Sequence, residues 1–172
     1  MMRAKVISKT PFGPVVIIWE VLFGIPKVSR VILSRPGAPA SANAPQGTCA
    51  EVEALCKSIG DILEGREITI PLEITDMNSC SAFQKKILHA QCRTPRGQVT
   101  SYQSLAAGAG LPNGARAAGT ALASNPFPLI IPCHRTIRSD GFPGEYEGGP
   151  AMKRALLEME GVYFDKRGRV IR

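Results

Sequence analysis

Histidine is scarce in this chain of 172 residues: only His89 and His134 occur. There are five cysteines, Cys49, Cys56, Cys80, Cys92 and Cys133, but no Cys-x-x-Cys pair. His89 and Cys92 lie three apart, and no second close pair completes four ligands, so a structural zinc site is poorly supported. An odd number leaves at least one thiol unpaired in a monomer, and free thiols suit a reducing interior. Long apolar runs are missing as well. Val15 to Ile18 is too short to span a membrane, and its surroundings do not match a signal peptide. The expectation is a soluble, cytoplasmic protein with no membrane partner and no metal. A cysteine hydrolase needs a remote histidine, and after His134 only His89 remains to supply one.

What is present is positive charge, and it is unevenly placed. The formal net charge is +7. Residues 1–78 hold eight Lys/Arg and eight Asp/Glu, whereas residues 79–172 hold thirteen and six. The whole excess therefore lies in the second part. A basic half suggests a polyanionic partner, with nucleic acid the leading candidate.

The first part reads as extended pieces and one helix. Lys5 to Glu20 forms two extended pieces around a turn at Thr10–Pro14, and Lys27 to Ser34 reads as a third strand. Pro36 to Gly47 is a loop by composition. Thr48 is a candidate cap for a helix over Cys49 to Leu63, with Val52, Leu55, Cys56, Ile59 and Leu63 on one face. Ile68 to Ile74 reads as an edge strand broken by Pro71. No catalytic constellation occurs here, and structural support is the expected role.

In the second part, Ser81 to Gln91 is helical by pattern. Thr100 or Ser101 can cap a short helix carrying Tyr102, and a second helix runs from about Asn113 or Gly114 to Ala123. The pair is a helix-turn-helix candidate. The second helix is lined with small residues around one large cation, Arg116. Such a surface fits either close helix packing or the groove of DNA. Leu129 to Ile131 suits a short buried strand, stopped by Pro132. Cys133, His134 and Arg135 follow at once. A thiol is a nucleophile only as the thiolate, which a neighbouring base or cation favours. Gly144, Gly148 and Gly149 flank Tyr146 in a loop that can wall a tight pocket. Ala151 to Glu160 is helical, and Asp165 to Gly168 forms a hairpin-like turn in a basic tail.

Several motifs occur together in order: Phe83-Gln84, Gly97-x-x-x-Ser101-Tyr102, Ala115-Arg116-Ala117-Ala118-Gly119, Asn125-Pro126, Ile131-Pro132-Cys133-His134-Arg135, Ser139-Asp140-Gly141, Gly144-x-Tyr146-x-Gly148-Gly149, Lys153 and Leu156-Leu157-x-x-Glu160-Gly161. The set resembles the O6-alkylguanine-DNA alkyltransferases, also called methylated-DNA–protein-cysteine methyltransferases, densely over residues 81–162. The resemblance implies an α+β fold: a small N-terminal RNase H-like α/β domain over 1–78, then a mainly helical domain with a helix-turn-helix over 79–172. It implies irreversible transfer of an alkyl group from O6 of guanine in double-stranded DNA to Cys133, once per molecule, by a monomer without cofactor or metal. In that picture the guanine rotates out of the stack. His134 takes the thiol proton through a water, Glu160 orients His134, Tyr102 donates to the leaving guanine, and Asn125 fixes the turn beneath the nucleophile. Arg116 fills the vacated space, with Ala115, Ala117, Gly119, Arg135, Thr100 and Ser101 as further DNA contacts. Tyr146, Glu147, Gly148 and Pro128 line the base pocket. The alternative is a non-catalytic module that binds alkylated bases and recruits other proteins; relatives of that kind lack the cysteine. Thr136 stands where valine is most common, a tolerable change. Glu145 and Glu147 put carboxylates around Tyr146 and leave the range of alkyl groups open.

Overall fold

The computed structural model describes residues 4–171. The fold is a mixed α/β one with five α-helices and a small antiparallel sheet among the described residues. It divides into two compact units. One runs up to Ser79 and takes in Pro126–Ile130; the other comprises Cys80–Asn125 and the chain from Ile131 onward.

The first unit is built on strands β1 (Ala4–Ser8), β2 (Val15–Leu22) and β3 (Ile25–Ile32), paired antiparallel in that order. β-Branched residues favour the pleated conformation, and Val15, Val16 and Ile17 are buried in succession, so both faces of β2 are covered. Phe23 and Gly24, both at positive φ, make the tight β2–β3 turn. The β1 edge does not stay open: Lys5 donates its amide to Pro45 O and accepts from Gly47 N. Helix α1 (Ala50–Leu63) buries Val52, Leu55, Ile59 and Leu63, the face its periodicity predicts. Its cap differs from expectation. Cys49, not Thr48, holds the N-cap position, with no side-chain cap bond. The expected strand at Ile68 to Ile74 is absent. Pro71 cannot donate to a ladder, and the segment closes into a single 3-10 turn at Leu72–Ile74 before Thr75 bridges Val28.

The second unit contains α2 (Ala82–Cys92), α3 (Tyr102–Gly108), α4 (Ala115–Ala123) and α5 (Pro150–Met159). A two-residue parallel pair, β4 (Thr100–Ser101) with β5 (Thr136–Ile137), ties the start of α3 to the segment after Cys133. Ser81 and Ser101 cap α2 and α3 by accepting from Gln84 N and Ser104 N. Helices α3 and α4 pack through a turn in which Gly114 has no room for a side chain: a Cβ there would lie 2.4 Å from Leu111. Ile137, Leu157, Val162 and Val170 form a small buried cluster that anchors the end of the chain. No helix among the described residues is long and apolar enough to cross a membrane.

The apolar run Leu129–Ile131 is not a strand. Leu129 and Ile130 form a turn, with Leu129 at φ +73, Ile131 makes only an isolated bridge, and the units part between Ile130 and Ile131. The prolines at 126, 128 and 132 remove three donors within seven residues, which rules out a regular ladder. Pro126 O instead accepts from Val31 N in the first unit.

Candidate active site

Cys133 opens a single 3-10 turn, Cys133–Arg135, capped by Pro132. The chain enters it under restraint: Cys133 N donates to Ile131 O at 2.7 Å and Arg135 N to Pro132 O at 3.0 Å. Asn125, just beyond α4, donates to Ile131 O at 3.4 Å and hydrogen-bonds the Cys133 thiol. The end of α4 is itself held by Gln84, whose Nε2 donates to Ala121 O and to both oxygens of Ser124.

His134 and Glu160 are brought together although 26 residues separate them. His134 Nε2 lies 2.9 Å from Glu160 Oε1, with the two side chains only 1% and 4% exposed. Burial opposes ionisation of Glu160, but hydrogen bonds from His134 and Arg135 outweigh it and hold the carboxyl at about 2. An ionised carboxylate only accepts, so His134 Nε2 carries a proton. Burial lowers the His134 pKa against the pull of Glu160, so the ring is neutral at neutral pH. Its proton is then on Nε2, and Nδ1 is left with a lone pair. Nδ1 is buried and has no hydrogen-bond partner among the described residues. That nitrogen is the free base of the site.

Burial pushes the Cys133 thiol up. The Asn125 bond and the Lys153 charge pull it down, and Glu147 pushes it up again. The resting sulfur is therefore protonated at neutral pH, and reaction requires a base beside it. Tyr146 stands edge-on to His134, ring centroids 6.2 Å apart, with its hydroxyl buried and without a hydrogen-bond partner among the described residues. Gly148 is close-packed there: a Cβ would meet Met152 Sδ at 2.1 Å.

Tyr102 begins α3, and its hydroxyl lies 3.4 Å from where a Cβ on Gly144 would sit. Burial raises its pKa, as do the charges of Cys133 and Glu145. The same tyrosine lines a groove of about 680 Å³ with Arg116, Gly119, Thr120, Arg138 and Asp140. Arg116 is exposed there, and Ala115 and Ala117 are half-buried on α4. Four of the expected contacts have other local surroundings. Arg135 is not a free DNA-facing cation: it makes two bonds of 2.9 Å to the Glu160 carboxylate and a third to Thr94 O at 2.8 Å. The hydroxyl of Ser101 is used in capping α3, and Thr100 pairs with Thr136 in the sheet. Pro128 is buried in the first unit.

Two supports have no assigned role in the sequence reading. Lys153 is 1% exposed, yet its Nζ donates to Thr136 O at 2.7 Å and Glu145 O at 3.3 Å. Burial lowers its pKa to about 8, against the pull of Cys133 and Glu145. Gln91, fully buried on α2, donates to Pro132 O at 2.9 Å and accepts from the Thr136 hydroxyl. The turn bearing Cys133 is thus clamped at Pro132 by Gln91 and at Thr136 by both Gln91 and Lys153. The signal for Gln91 was Thr136 itself, a hydroxyl where valine is common. Gln91→Leu or Thr136→Val alone leaves buried polar atoms without partners and is expected to cost about 1–3 kcal/mol. Urea unfolding should show the double variant closer to wild type than the sum of the two singles.

Fold and side chains together place one cysteine in a unit that also carries a groove lined by Arg116 and Arg138. Residues 82–162 match the family described as 6-O-methylguanine DNA methyltransferase, DNA binding domain. The chain is 45% identical over 111 residues to the methylated-DNA–protein-cysteine methyltransferase of Methanothermobacter thermautotrophicus, covering 64% of this chain and 62% of that protein. It is 53% identical over 88 residues to the human protein of that name, covering 51% of this chain and 42% of the human one. The crystal structure of Mycobacterium tuberculosis O6-methylguanine methyltransferase superposes with a TM-score of 0.77 at 26% identity, over 92% of this chain and 93% of that one. The same protein in complex with DNA gives 0.74 at 26% identity, over 93% and 92%. The similarity to O6-alkylguanine-DNA alkyltransferases is concentrated in residues 82–162. It spans less than two thirds of the length of the curated relatives named here.

Proposed function

We propose that this protein repairs DNA by irreversible transfer of an alkyl group, methyl in the simplest case, from O6 of guanine to Cys133. The observation that carries the reading is the ordered set Asn125, Cys133, His134 and Glu160. It provides a half-buried thiol held by an amide, and a neutral imidazole with one nitrogen fixed by a carboxylate and the other open.

In this reading α3 and α4 form a helix-turn-helix, with α4 laid in a groove of duplex DNA and Arg116 inserted where the target base leaves the stack. The first unit is a supporting domain of RNase H-like type. His134 Nδ1 takes the thiol proton through a water. The sulfur lone pair attacks the alkyl carbon, the carbon–O6 bond breaks, and its electron pair stays on the guanine oxygen. Tyr102 donates a hydrogen bond to the departing base. Tyr146, Glu147 and Gly148 line the pocket. Thioether formation is not reversed, so each molecule acts once. The step balances without a cofactor and is written for a monomer, placed with the cell's DNA in the cytoplasm.

The test is intact-protein mass after mixing with a duplex carrying one O6-methylguanine. A gain of one methyl group per chain is the expected result. Tight binding to that duplex with no mass gain would overturn transfer in favour of a lesion-binding module.

A further inference from the structure

The cations around the groove do not end at Arg116 and Arg138. We propose that the C-terminal arch, residues 163–171, is a second duplex-binding surface that grips the phosphate backbone beside the lesion. This rests on the DNA reading above.

The arch is a built element. Phe164 bridges Val170, Asp165 N donates to Arg169 O at 2.8 Å, and Gly168 at φ +81 closes the turn. The Asp165 carboxylate accepts from the amides of Arg167 and Arg169, both at 2.8 Å. Lys166, Arg167 and Arg169 are thereby carried on a fixed frame, exposed. Phosphate contacts made from a preorganised frame cost less ordering than contacts from a floppy tail.

The arch is joined to the rim of the groove. Val170 N donates to Gly141 O at 2.9 Å, and a Cβ on Gly141 would lie 3.4 Å from Arg169 Cβ. The Arg169 guanidinium lies 5.2 Å from the centre of the Phe142 ring. Arg138, Ser139 and Asp140, immediately before that contact, line the groove with Arg116. On the other flank Arg154 lies 4.5 Å over Phe164.

The local acids do not cancel this charge. Asp140 pairs with Arg138 at 2.6 Å and Glu158 with Arg154 at 2.8 Å. Asp165 directs its carboxylate at backbone amides, and the charges of Arg169 and Arg167 also favour its ionised form. Lys166, Arg167 and Arg169 form no ion pair among the described residues. Tyr163, 74% exposed, adds a hydroxyl donor of the kind that contacts phosphate. Three exposed cations against one carboxylate, on a frame continuous with a basic groove, suit a regularly charged duplex, because each neutralised phosphate releases counterions.

The experiment is fluorescence anisotropy of an undamaged duplex of about 25 base pairs, titrated across salt with wild-type protein and K166Q/R167Q/R169Q. The slope of log K against log salt should become shallower by roughly 2–3 in the triple variant. Because Arg169 also packs on Phe142, K166Q/R167Q serves as a second variant, with a slope shallower by roughly 1–2. Alkyl transfer from a free O6-alkylguanine base should be unchanged in both. Slopes equal to wild type in variants that retain free-base transfer would overturn the proposal and leave the DNA reading intact. A wild-type protein that neither binds the duplex nor reacts with it would overturn the DNA reading, and this proposal with it.

Discussion

Cys133→Ala is expected to abolish alkyl transfer completely while leaving duplex binding within about twofold of wild type. The sulfur supplies the only bond that forms in the proposed reaction, so no residual rate remains to be measured. Binding survives because the groove is lined from α3, α4 and the Arg138–Asp140 turn, none of which uses the thiol for support. Asn125 keeps its bond to Ile131 O when the thiol is gone. Intact mass after incubation with an O6-methylguanine duplex reads the first effect, and anisotropy reads the second. Transfer persisting in the alanine variant would move the nucleophile elsewhere. The nearest alternative is poor: burial pushes the Cys92 thiol up to about 11.

Glu160→Ala is expected to be the most destabilising single change in the site, at about 3 kcal/mol, because it strips the half-buried Arg135 cation and the buried His134 of their partner. Arg135 would lose two bonds and His134 one. Transfer should fall by at least about 100-fold, the usual worth of a positioned base. Glu160→Gln keeps the size and one acceptor, so it separates charge from packing. The carboxyl is held at about 2 when folded, against an ordinary value of 4.5. Between those values the unfolded chain binds more protons than the folded one, so stability falls as pH drops from 4.5 towards 2. The contribution lost over that window is about 3 kcal/mol. Urea midpoints measured from pH 7 down to 3 should show this acid arm in wild type and a flatter profile in Glu160→Gln. Parallel profiles would mean the carboxylate is not held by its neighbours.

Helices were the legible part of the fold because their signals are local. The α1 face at Val52, Leu55, Ile59 and Leu63, and the serine caps of α2 and α3, can be read within one or two turns. Short apolar runs were not legible. Leu129 to Ile131 has the composition of a buried strand, and periodicity cannot distinguish that from a buried turn. Leu129 adopts a positive φ that its side chain does not signal. Within the site, the motif order named Cys133, His134, Glu160 and Asn125, and the structure brings these four together. It did not reveal that Arg135 is spent on Glu160, because their 25-residue separation carries no periodic signal. Lys153 was visible as a letter in the pattern but not as a buried strut. Its acceptors, Thr136 O and Glu145 O, are backbone atoms that any residue would supply.

In the proposed reaction, the shared carboxylate of Glu160 also bears on where the proton would finish. Arg135 already neutralises it, so the trio of Arg135, Glu160 and His134 is close to uncharged while the imidazole is neutral. Once the ring takes the thiol proton, its positive charge is balanced by the new thiolate. Alkylation turns that thiolate into an uncharged thioether and leaves a buried imidazolium near Lys153, with Glu160 still committed to Arg135. The departing guanine bears the opposite deficit, an oxygen anion lacking one proton. Passing the proton from imidazole to base would cancel both at once, so in this scheme the proton that began on sulfur ends on guanine and the interior regains its starting charge.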